Sequence, residues 1–160
     1  MEQSLIPSSE QTLELLGGMP SIEAVRELEG FLLDLPQVDL GISHLVFGGM
    51  CARTGMIPAG TVLTGALTNI DNICVLFGDI TVTTDSGPQR LTGFHVLPAS
   101  KGSKRVGFAH VDTWWSTILR TDLTEISEIE DEMTGESDRL MTRRMQISSS
   151  MPQAKMIEGD

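Results

Sequence analysis

Basic residues are scarce in this 160-residue chain. Eleven Lys and Arg stand against 22 Asp and Glu, which gives a formal net charge of −11 and a pI of about 4.6. Sequence-independent binding of DNA or RNA depends on Lys and Arg that neutralise phosphates, and docking to anionic membranes depends on the same charges. No apolar run reaches the roughly 20 residues that a membrane-spanning helix needs. We therefore expect neither a nucleic acid nor a membrane as partner.

Cysteine is also rare, and the two residues present, Cys51 and Cys74, both lie in apolar segments. The first residues, MEQSLIPSSEQ, are acidic and polar, which is unlike a secretory signal peptide. In a chain without an export signal, we expect both cysteines to be reduced thiols in the core.

The sequence lacks the local motifs of several enzyme classes. It has no G-x-S-x-G, HExxH or CxxC motif and no phosphate loop. Its three histidines are His44, His95 and His110. We expect each to be a hydrogen-bonded structural residue. The alternative is a metal site built from His110, Asp71 and a third residue that the fold brings together.

The composition that is present is that of a globular protein, with 40% hydrophobic and 21% charged residues, and the length suits one domain. Residues 21–35, SIEAVRELEGFLLDL, predict a helix, because Ser21 is a good N-cap, apolar residues recur every three or four positions, and Pro36 follows. Residues 121–135 show the same helical spacing and end at a glycine. Residues 136–160 mix charge, serine and methionine, and we expect their last part, QISSSMPQAKMIEGD (146–160), to form an extended tail.

Between these helices, short apolar runs are broken by Gly, Pro and Asp, which is typical of an antiparallel barrel or sandwich. The stretch TDSGPQ (84–89) predicts a hairpin turn. The predicted strands are 43–48, 50–57, 61–66, 72–77, 79–84, 89–92, 94–98, 105–110 and 113–119. The chain therefore divides into an N-terminal arm and helix (1–36), a β-barrel (37–121), and an acidic C-terminal helix with a tail (122–160).

Four motifs resemble the cupin superfamily: IPAG (57–60), CVLFGDITVTTDSGPQRL (74–91), GFHVLPASKGSKR (93–105) and DTWWSTI (112–118). Three longer stretches are more specific and resemble the small cupin-like proteins of tailed bacteriophages: LPQVDLGISHLVFGGMCART (35–54), KGSKRVGFAHVDTWWSTILRTD (101–122) and DLTEISEIEDE (122–132). The resemblance implies a mainly β fold: a cupin-like (RmlC-like) antiparallel β-barrel or jelly roll with flanking N- and C-terminal helices.

The metal ligands of that family are absent from the matching positions. Cupin enzymes hold a transition metal with two His and a Glu from their first motif and a His from their second. Counting from the motif glycines places Ala66 and Thr68 at the two His positions, Asn72 or Asp71 at the Glu position, and Arg105 at the last His. Such side chains do not hold iron, manganese or zinc. We therefore expect neither a metal nor another cofactor.

The segment SKGSKR (100–105) places Gly, Ser and three cations in one turn, which favours an anion site. Its alternative is a solvated basic hairpin. The residues predicted to bind an anionic ligand at the barrel mouth are Arg105, Lys104, Ser103, Thr68 and Asn72.

The side-chain alternation of strand 105–110 gives a conflicting prediction for this mouth. A closed barrel prefers Val106 and Phe108 inside, which would take His110 with them, whereas the cupin register places Arg105 inside. Burying an unpaired guanidinium costs several kcal/mol. We therefore expect Arg105 near a rim, paired with an acid such as Asp71 or Asp79 or open to an anion, and His110 facing an apolar interior.

Trp114 and Trp115 are adjacent on one predicted strand, so they point to opposite faces. One should lie in the core and the other at a subunit interface. We therefore predict a homo-oligomer, and the resemblance implies pairing through an exchanged N-terminal strand or arm.

Two functions of different class stay open. The first is a non-catalytic bacteriophage interaction module, a virion structural or assembly component that contacts other virion proteins or a host factor, in the host cytoplasm or the virion. The second is a metal-free cupin isomerase or epimerase, or a protein that binds a small anion. In an enzyme of this kind His110 would be the general base, with Arg105 or Lys104 as the electrophile.

Overall fold

The computed structural model describes residues 21–147, with side chains described as far as Arg144. Seven strands form one antiparallel sheet that curls into half a barrel, with helices before and after it. The helices are α1 (Ile22–Leu33), α2 (Ile126–Met133) and α3 (Met141–Ile147), with a 3-10 turn at Ser137–Arg139. The strands are β1 (Ser43–Phe47), β2 (Met50–Ile57), β3 (Val62–Thr64), β4 (Asn72–Thr84), β5 (Gly87–Ala99), β6 (Val106–Ala109) and β7 (Thr113–Arg120).

Helix α1 begins where the sequence predicts. Ser21 has an extended backbone, and its Oγ accepts a hydrogen bond of 3.1 Å from the N–H of Ala24, which satisfies one of the free donors of the first turn. Val25 is buried against Val106 of β6, so the helix covers the outside of that short strand. No helix in the described part of the chain is long and apolar enough to cross a membrane.

The long strand β4 organises the sheet, whose order is β1-β2-β7-β4-β6-β3 with β5 on the other side of β4. All thirteen residues of β4 pair with β5. Its first half, residues 72–77, pairs with β7, and residues 80–82 pair with β6. The barrel wall therefore changes partners near Gly78.

The even-numbered residues of β4 point inward and build the main core. Leu76, Ile80 and Val82 pack with neighbours from five other strands. A second core lies under the C-terminal helices, where Cys51 and Leu119 pack against Ile129, Met133 and Leu140. Both cysteines are buried and free, as expected.

The fold class predicted from the sequence, a mainly β antiparallel architecture with flanking helices, is confirmed. Two details differ. The runs predicted as separate strands at 72–77 and 79–84 are one strand, and so are 89–92 and 94–98. No helix was predicted after residue 135, but the structure has a 3-10 turn at Ser137–Arg139 and α3, which extends two residues into the tail predicted at 146–160. The predicted arm at 1–20 and the tail beyond 147 lie outside the described residues.

Gly78 is required by close packing rather than by turn formation. A Cβ built at this position would lie 2.8 Å from Cα of Thr113, which belongs to the neighbouring backbone and cannot move aside cheaply. We expect Gly78→Ala to lower the free energy of unfolding by about 1–3 kcal/mol, as measured by urea denaturation. The matched control is Gly30→Ala on α1, where a Cβ meets nothing within 4 Å. Equal stability of the two variants would contradict this prediction.

Candidate functional site

One side of the sheet is an exposed apolar surface, which we call the outer face. It is formed by the residues of four adjacent strands that point away from the core, in three aligned rows. The rows are Met56–Trp114–Phe77–Phe94, Thr54–Ser116–Val75–Val96 and Ala52–Ile118–Ile73–Pro98. Leu45, Phe47 and Met50 extend it across β1 and the start of β2.

The outer face concentrates the exposed apolar surface of the protein. Eleven large apolar side chains are exposed among the described residues, and eight of them lie on this face and its extension. The side chains of Phe47, Phe94, Phe77 and Trp114 are 78%, 66%, 60% and 55% exposed. Clusters of this kind mark interaction sites, whereas isolated exposed apolar residues do not.

The two hydroxyl groups of the outer face are satisfied within it. All twelve positions of the three rows hold uncharged residues. Two of these residues carry hydroxyls, Thr54 and Ser116, and their Oγ atoms are 2.6 Å apart in a mutual hydrogen bond. Covering the face therefore leaves no side-chain hydroxyl of the rows without a partner.

Charged residues lie at the ends of the outer face. Beyond the Trp114 row, Asp79 accepts two hydrogen bonds from Arg90, at 2.9 and 2.7 Å. The hydrogen bond from Arg90 lowers the pKa of Asp79 below its usual range. At the opposite end, Arg120 pairs with Met50 across the strands. The result is an apolar centre with a polar rim, which is the usual anatomy of a protein interface.

The concave side of the sheet encloses a cavity of about 1030 Å³. Its walls are mostly apolar and come from the barrel strands, the end of α1, the segment that follows α1, and the C-terminal segment. All five residues predicted to bind an anion line this one cavity: Thr68, Asn72, Ser103, Lys104 and Arg105. Trp115 lines it too, on the side of β7 opposite to Trp114.

Arg105 points into this cavity and is only 13% exposed. Its Nη1 donates to the carbonyl of Thr83 at 2.6 Å and its Nη2 to the carbonyl of Pro98 at 3.2 Å. The carboxylate of Asp85 lies 3.7 Å from Nη2. The partner acid is thus Asp85, and the predicted partners Asp71 and Asp79 are wrong. Backbone carbonyls and one distant carboxylate leave part of the guanidinium charge uncompensated.

The other cation of the predicted anion site is fully engaged. Lys104 Nζ donates to Glu29 at 2.9 Å, to Glu136 at 2.9 Å and to the carbonyl of Gly65 at 3.0 Å. An ammonium has three N–H donors, so none is left for a ligand. We call these residues, with Arg139 on Glu29, the Lys104 cluster.

The remaining polar residues of the predicted site make local bonds or none. Ser103 Oγ donates to the carbonyl of Ser100 at 2.7 Å, and Asn72 Nδ2 donates to that of Ile70 at 3.1 Å. Thr68 Oγ1 is buried and has no hydrogen-bond partner among the described residues. Among the five residues predicted to bind an anion, Arg105 is therefore the cation with N–H donors still free, and Thr68 adds a free hydroxyl.

His110 lies away from the cavity, which corrects the expectation that it faces the barrel interior. Ala109 is its inward-pointing neighbour, and the imidazole Nε2 is 2.7 Å from Thr81 Oγ1 on the opposite side of the sheet. Phe108 contacts the imidazole ring edge-on at 5.0 Å between centroids. Desolvation, and then the charge of Arg90, lower the pKa of His110. His110 and Arg105 therefore lie on opposite faces and cannot act as base and electrophile on one substrate.

A buried charged cluster around Glu130 was not predicted from the sequence. Arg53 donates to Glu130 Oε2 at 2.6 Å and is 3.0 Å from Nε2 of His44, while Thr142 and Arg143 also bond the carboxylate. We call this set the Glu130 cluster. It joins β1 and β2 to α2 and α3, so its geometry is that of a structural centre.

His44 of this cluster is 1% exposed, and its pKa is lowered to about 4 by burial and then by the charge of Arg53. Its Nε2 accepts from Arg53, so the proton of the neutral ring is on Nδ1, which has no partner among the described residues. Within residues 21–147, no three His, Cys, Asp or Glu side chains are grouped closely enough to hold a metal ion.

Comparisons of this sequence with protein-family models and with curated proteins found no match. Among solved structures, a RmlC-like cupin family protein from Methanocaldococcus jannaschii is 13% identical with a TM-score of 0.40, and covers 50% of this chain and 77% of that one. The cupin domain of Cnp3 from Schizosaccharomyces pombe is 21% identical with a TM-score of 0.42, and covers 56% and 68%. A cupin-2 domain containing protein from Shewanella frigidimarina is 10% identical with a TM-score of 0.41, and covers 59% and 91%. Each is a similarity of fold.

Proposed function

We propose that this chain is a non-catalytic interaction module whose outer face docks onto a protein surface. The observation that carries this proposal is the uncharged, internally hydrogen-bonded outer face with its exposed Phe77, Phe94 and Trp114. Water in contact with such a face is released when it is covered, and that release is the main favourable term in protein association. Polar residues at either end then limit how a partner is placed.

We further propose the setting: a bacteriophage particle or its assembly in the host cytoplasm, where the chain contacts other virion proteins or a host factor. This part rests on the resemblance of three sequence stretches, 35–54, 101–122 and 122–132, to small cupin-like phage proteins. The separation of His110 from Arg105 favours the module over an isomerase, since the two groups do not face one substrate.

The test is site-specific photocrosslinking during phage infection. A photoreactive phenylalanine at Phe94, on the outer face, should give protein adducts, whether to this chain or to a virion protein. The same group at Phe31, exposed on α1 and away from the face, is the matched control and should give few. If the yields at the two positions are equal, the outer face is no more an interaction surface than the rest of the protein.

A second candidate function is the binding of a small amphipathic carboxylate in the cavity. The observation that favours it is the pairing of largely apolar walls with Arg105, whose carboxylate partner lies at 3.7 Å. A carboxylate head would complete the hydrogen bonds of the guanidinium, and an apolar body would contact Leu63 and Trp115, which line the same space.

For this second function, we expect Arg105→Leu to weaken octanoate binding by at least about tenfold, because a charge-assisted hydrogen bond contributes roughly 1.5–3 kcal/mol. Isothermal titration calorimetry is the measurement. The control variant is Lys101→Leu in the same hairpin, and the control ligand is octanol, which has the chain without the charge. We expect folding to be largely retained. If Arg105→Leu fails to fold, Arg105 is a structural partner of Asp85 and the ligand proposal falls.

A further inference from the structure

The geometry points to a second copy of this chain as the partner of the outer face, in a two-fold, sheet-on-sheet dimer. This inference rests on the proposed function, since it names the occupant of the same surface. Two observations favour a second copy as this partner, the size of the face and its chemistry, and the charge of the rest of the chain limits where two copies can meet.

The size of the outer face matches a dimer interface. The three rows and the β1 extension span four strand spacings of about 4.8 Å and two row spacings of about 6.8 Å, and side chains add about 5 Å at each margin, which gives an area of roughly 700 Å². A standard protein interface buries about 800 Å² on each partner. The face is therefore large enough to form a stable dimer without help from other surfaces.

The chemistry of the face is self-complementary. Its two hydroxyls, on Thr54 and Ser116, bond each other, and the side chains around them are apolar. Apart from the indole N–H of Trp114, in the row next to the charged rim, no side-chain donor of these rows calls for a matching group on a partner, so an identical apolar sheet fits this face. In such sheet pairs the two inner faces interdigitate about 10 Å apart.

The negative net charge of the chain limits which surfaces of two copies can come into contact. At −11 each, two copies repel over most of their surface, and the uncharged rows are where contact costs least. Salt screens this repulsion, so the dimer should tighten as salt is added. A partner attracted by the acidic surface would show the opposite salt dependence.

Symmetry places one residue near the two-fold axis. β7 is the central strand of the five that form the face with its extension, and Ser116 is in the middle row. When identical patches pack about a two-fold axis, the centre of one patch meets the centre of the other. Ser116 of one copy should therefore lie close to Ser116 of the other.

Sedimentation equilibrium on the purified full chain tests the dimer. We expect a mass near twice 17.4 kDa at micromolar concentration. Phe94→Lys and Phe77→Lys should each weaken association by about 100-fold, because they bury a lysine ammonium among the apolar side chains of the outer face. Phe31→Lys, which changes an exposed residue off the face, should leave it unchanged. Circular dichroism checks that each variant is folded.

Cysteine crosslinking supplies a second measurement that does not depend on destabilising variants. Ser116→Cys should form an intermolecular disulfide under mild oxidation, whereas Ser86→Cys, in the β4–β5 turn, should not. A monomeric wild-type chain overturns the inference, as does a dimer that Phe94→Lys and Phe77→Lys leave intact. A monomer that still gives adducts to a virion protein at Phe94 overturns the second copy while the proposed function stands. A dimer formed elsewhere, with no adducts at Phe94, overturns both.

Discussion

Lowering the pH from 7 to 4 should reduce the free energy of unfolding by about 3 kcal/mol through His44 alone, with about 2 kcal/mol of the loss already present at pH 5. The pKa of His44 falls from 6.5 in the unfolded chain to about 4 in the folded protein. Between these two pH values His44 is mostly protonated in the unfolded chain but mostly neutral in the folded protein. The unfolded state therefore gains stability as the pH falls through this window, and the loss is complete below pH 4.

The physical cause is the surroundings of His44 in the Glu130 cluster. Burial opposes the charged imidazolium most strongly, the guanidinium of Arg53 opposes it further, and Glu130 offsets them only in part. Glu130 titrates lower: burial raises its pKa, but the hydrogen bond from Thr142 and the charge of Arg53 outweigh this, so its pKa is lowered. The stability that ionised Glu130 contributes is lost only as the pH falls below the usual carboxylate pKa of 4.5. Most of the loss caused by His44 occurs at higher pH, between 6.5 and 4.5.

Urea denaturation at pH 7 and pH 5 measures this effect. The variant His44→Gln has no titrating ring, so its stability should change less than that of the wild type between these two values. The comparison concerns the slope with pH, so a general loss of stability in the variant does not affect it. An unchanged slope in His44→Gln would show that the acid sensitivity comes from another group.

Replacing Lys104 by Met should cost about 3–5 kcal/mol, because it removes the buried cation that two partly buried carboxylates share and leaves them only the more exposed Arg139 and Arg26. Lys104 has a fully buried side chain, and the carboxylates of Glu29 and Glu136 both lie 2.9 Å from its Nζ. Burial raises the pKa of each carboxyl group, but the hydrogen bond from Lys104 and its other contacts hold the pKa below the usual range. Without Lys104, burial should raise the pKa of both carboxyl groups and so destabilise their ionised forms.

The control for this variant is Lys101→Met, an exposed lysine three residues away, which should change stability by no more than about 0.5 kcal/mol. Adding Glu29→Gln and Glu136→Gln to Lys104→Met should recover part of the loss, since the unpaired charges are then gone. Urea denaturation at neutral pH gives all three values. If Lys104→Met and Lys101→Met are equally stable, the Lys104 cluster does not hold the N-terminal helix and the C-terminal segment to the barrel.

Elements with a clear hydrophobic period could be predicted from the sequence, and those created by tertiary contacts could not. Helix α1 and most strands follow directly from spacing and turn residues. Helix α3 does not, because Ser, Met and charged residues in 136–147 show no apolar period. It is held instead by Leu140 in the second core and by Arg143 on Glu130.

The candidate site shows the same division. The alternation of strand 105–110 predicts two sets of residues but not which set is inside. Its hydrophobic side chain predicted that Val106 faces the barrel interior. In the structure Val106 faces away from the interior and is buried there by Val25 of α1. The Glu130 cluster could not be predicted, because Glu130 and Arg53 are 77 positions apart in the sequence. The acidic run that contains Glu130 also has the composition of a solvent-exposed helix face. Trp114 and Trp115 could be assigned to opposite faces, because strand geometry alone decides that.

The thirteen-residue pairing of β4 with β5 also has a consequence for the order in which the chain folds. These two strands are joined by a tight turn at Asp85 and Ser86, so every pair of their ladder closes a short loop. The pairing of β2 with β7 closes loops of more than fifty residues, which is entropically costlier and slower. We expect the β4–β5 hairpin to form early and to present its apolar face as the template on which β7, and then β2, are added. A variant that disturbs the turn at Gly87 should therefore slow folding more than it speeds unfolding.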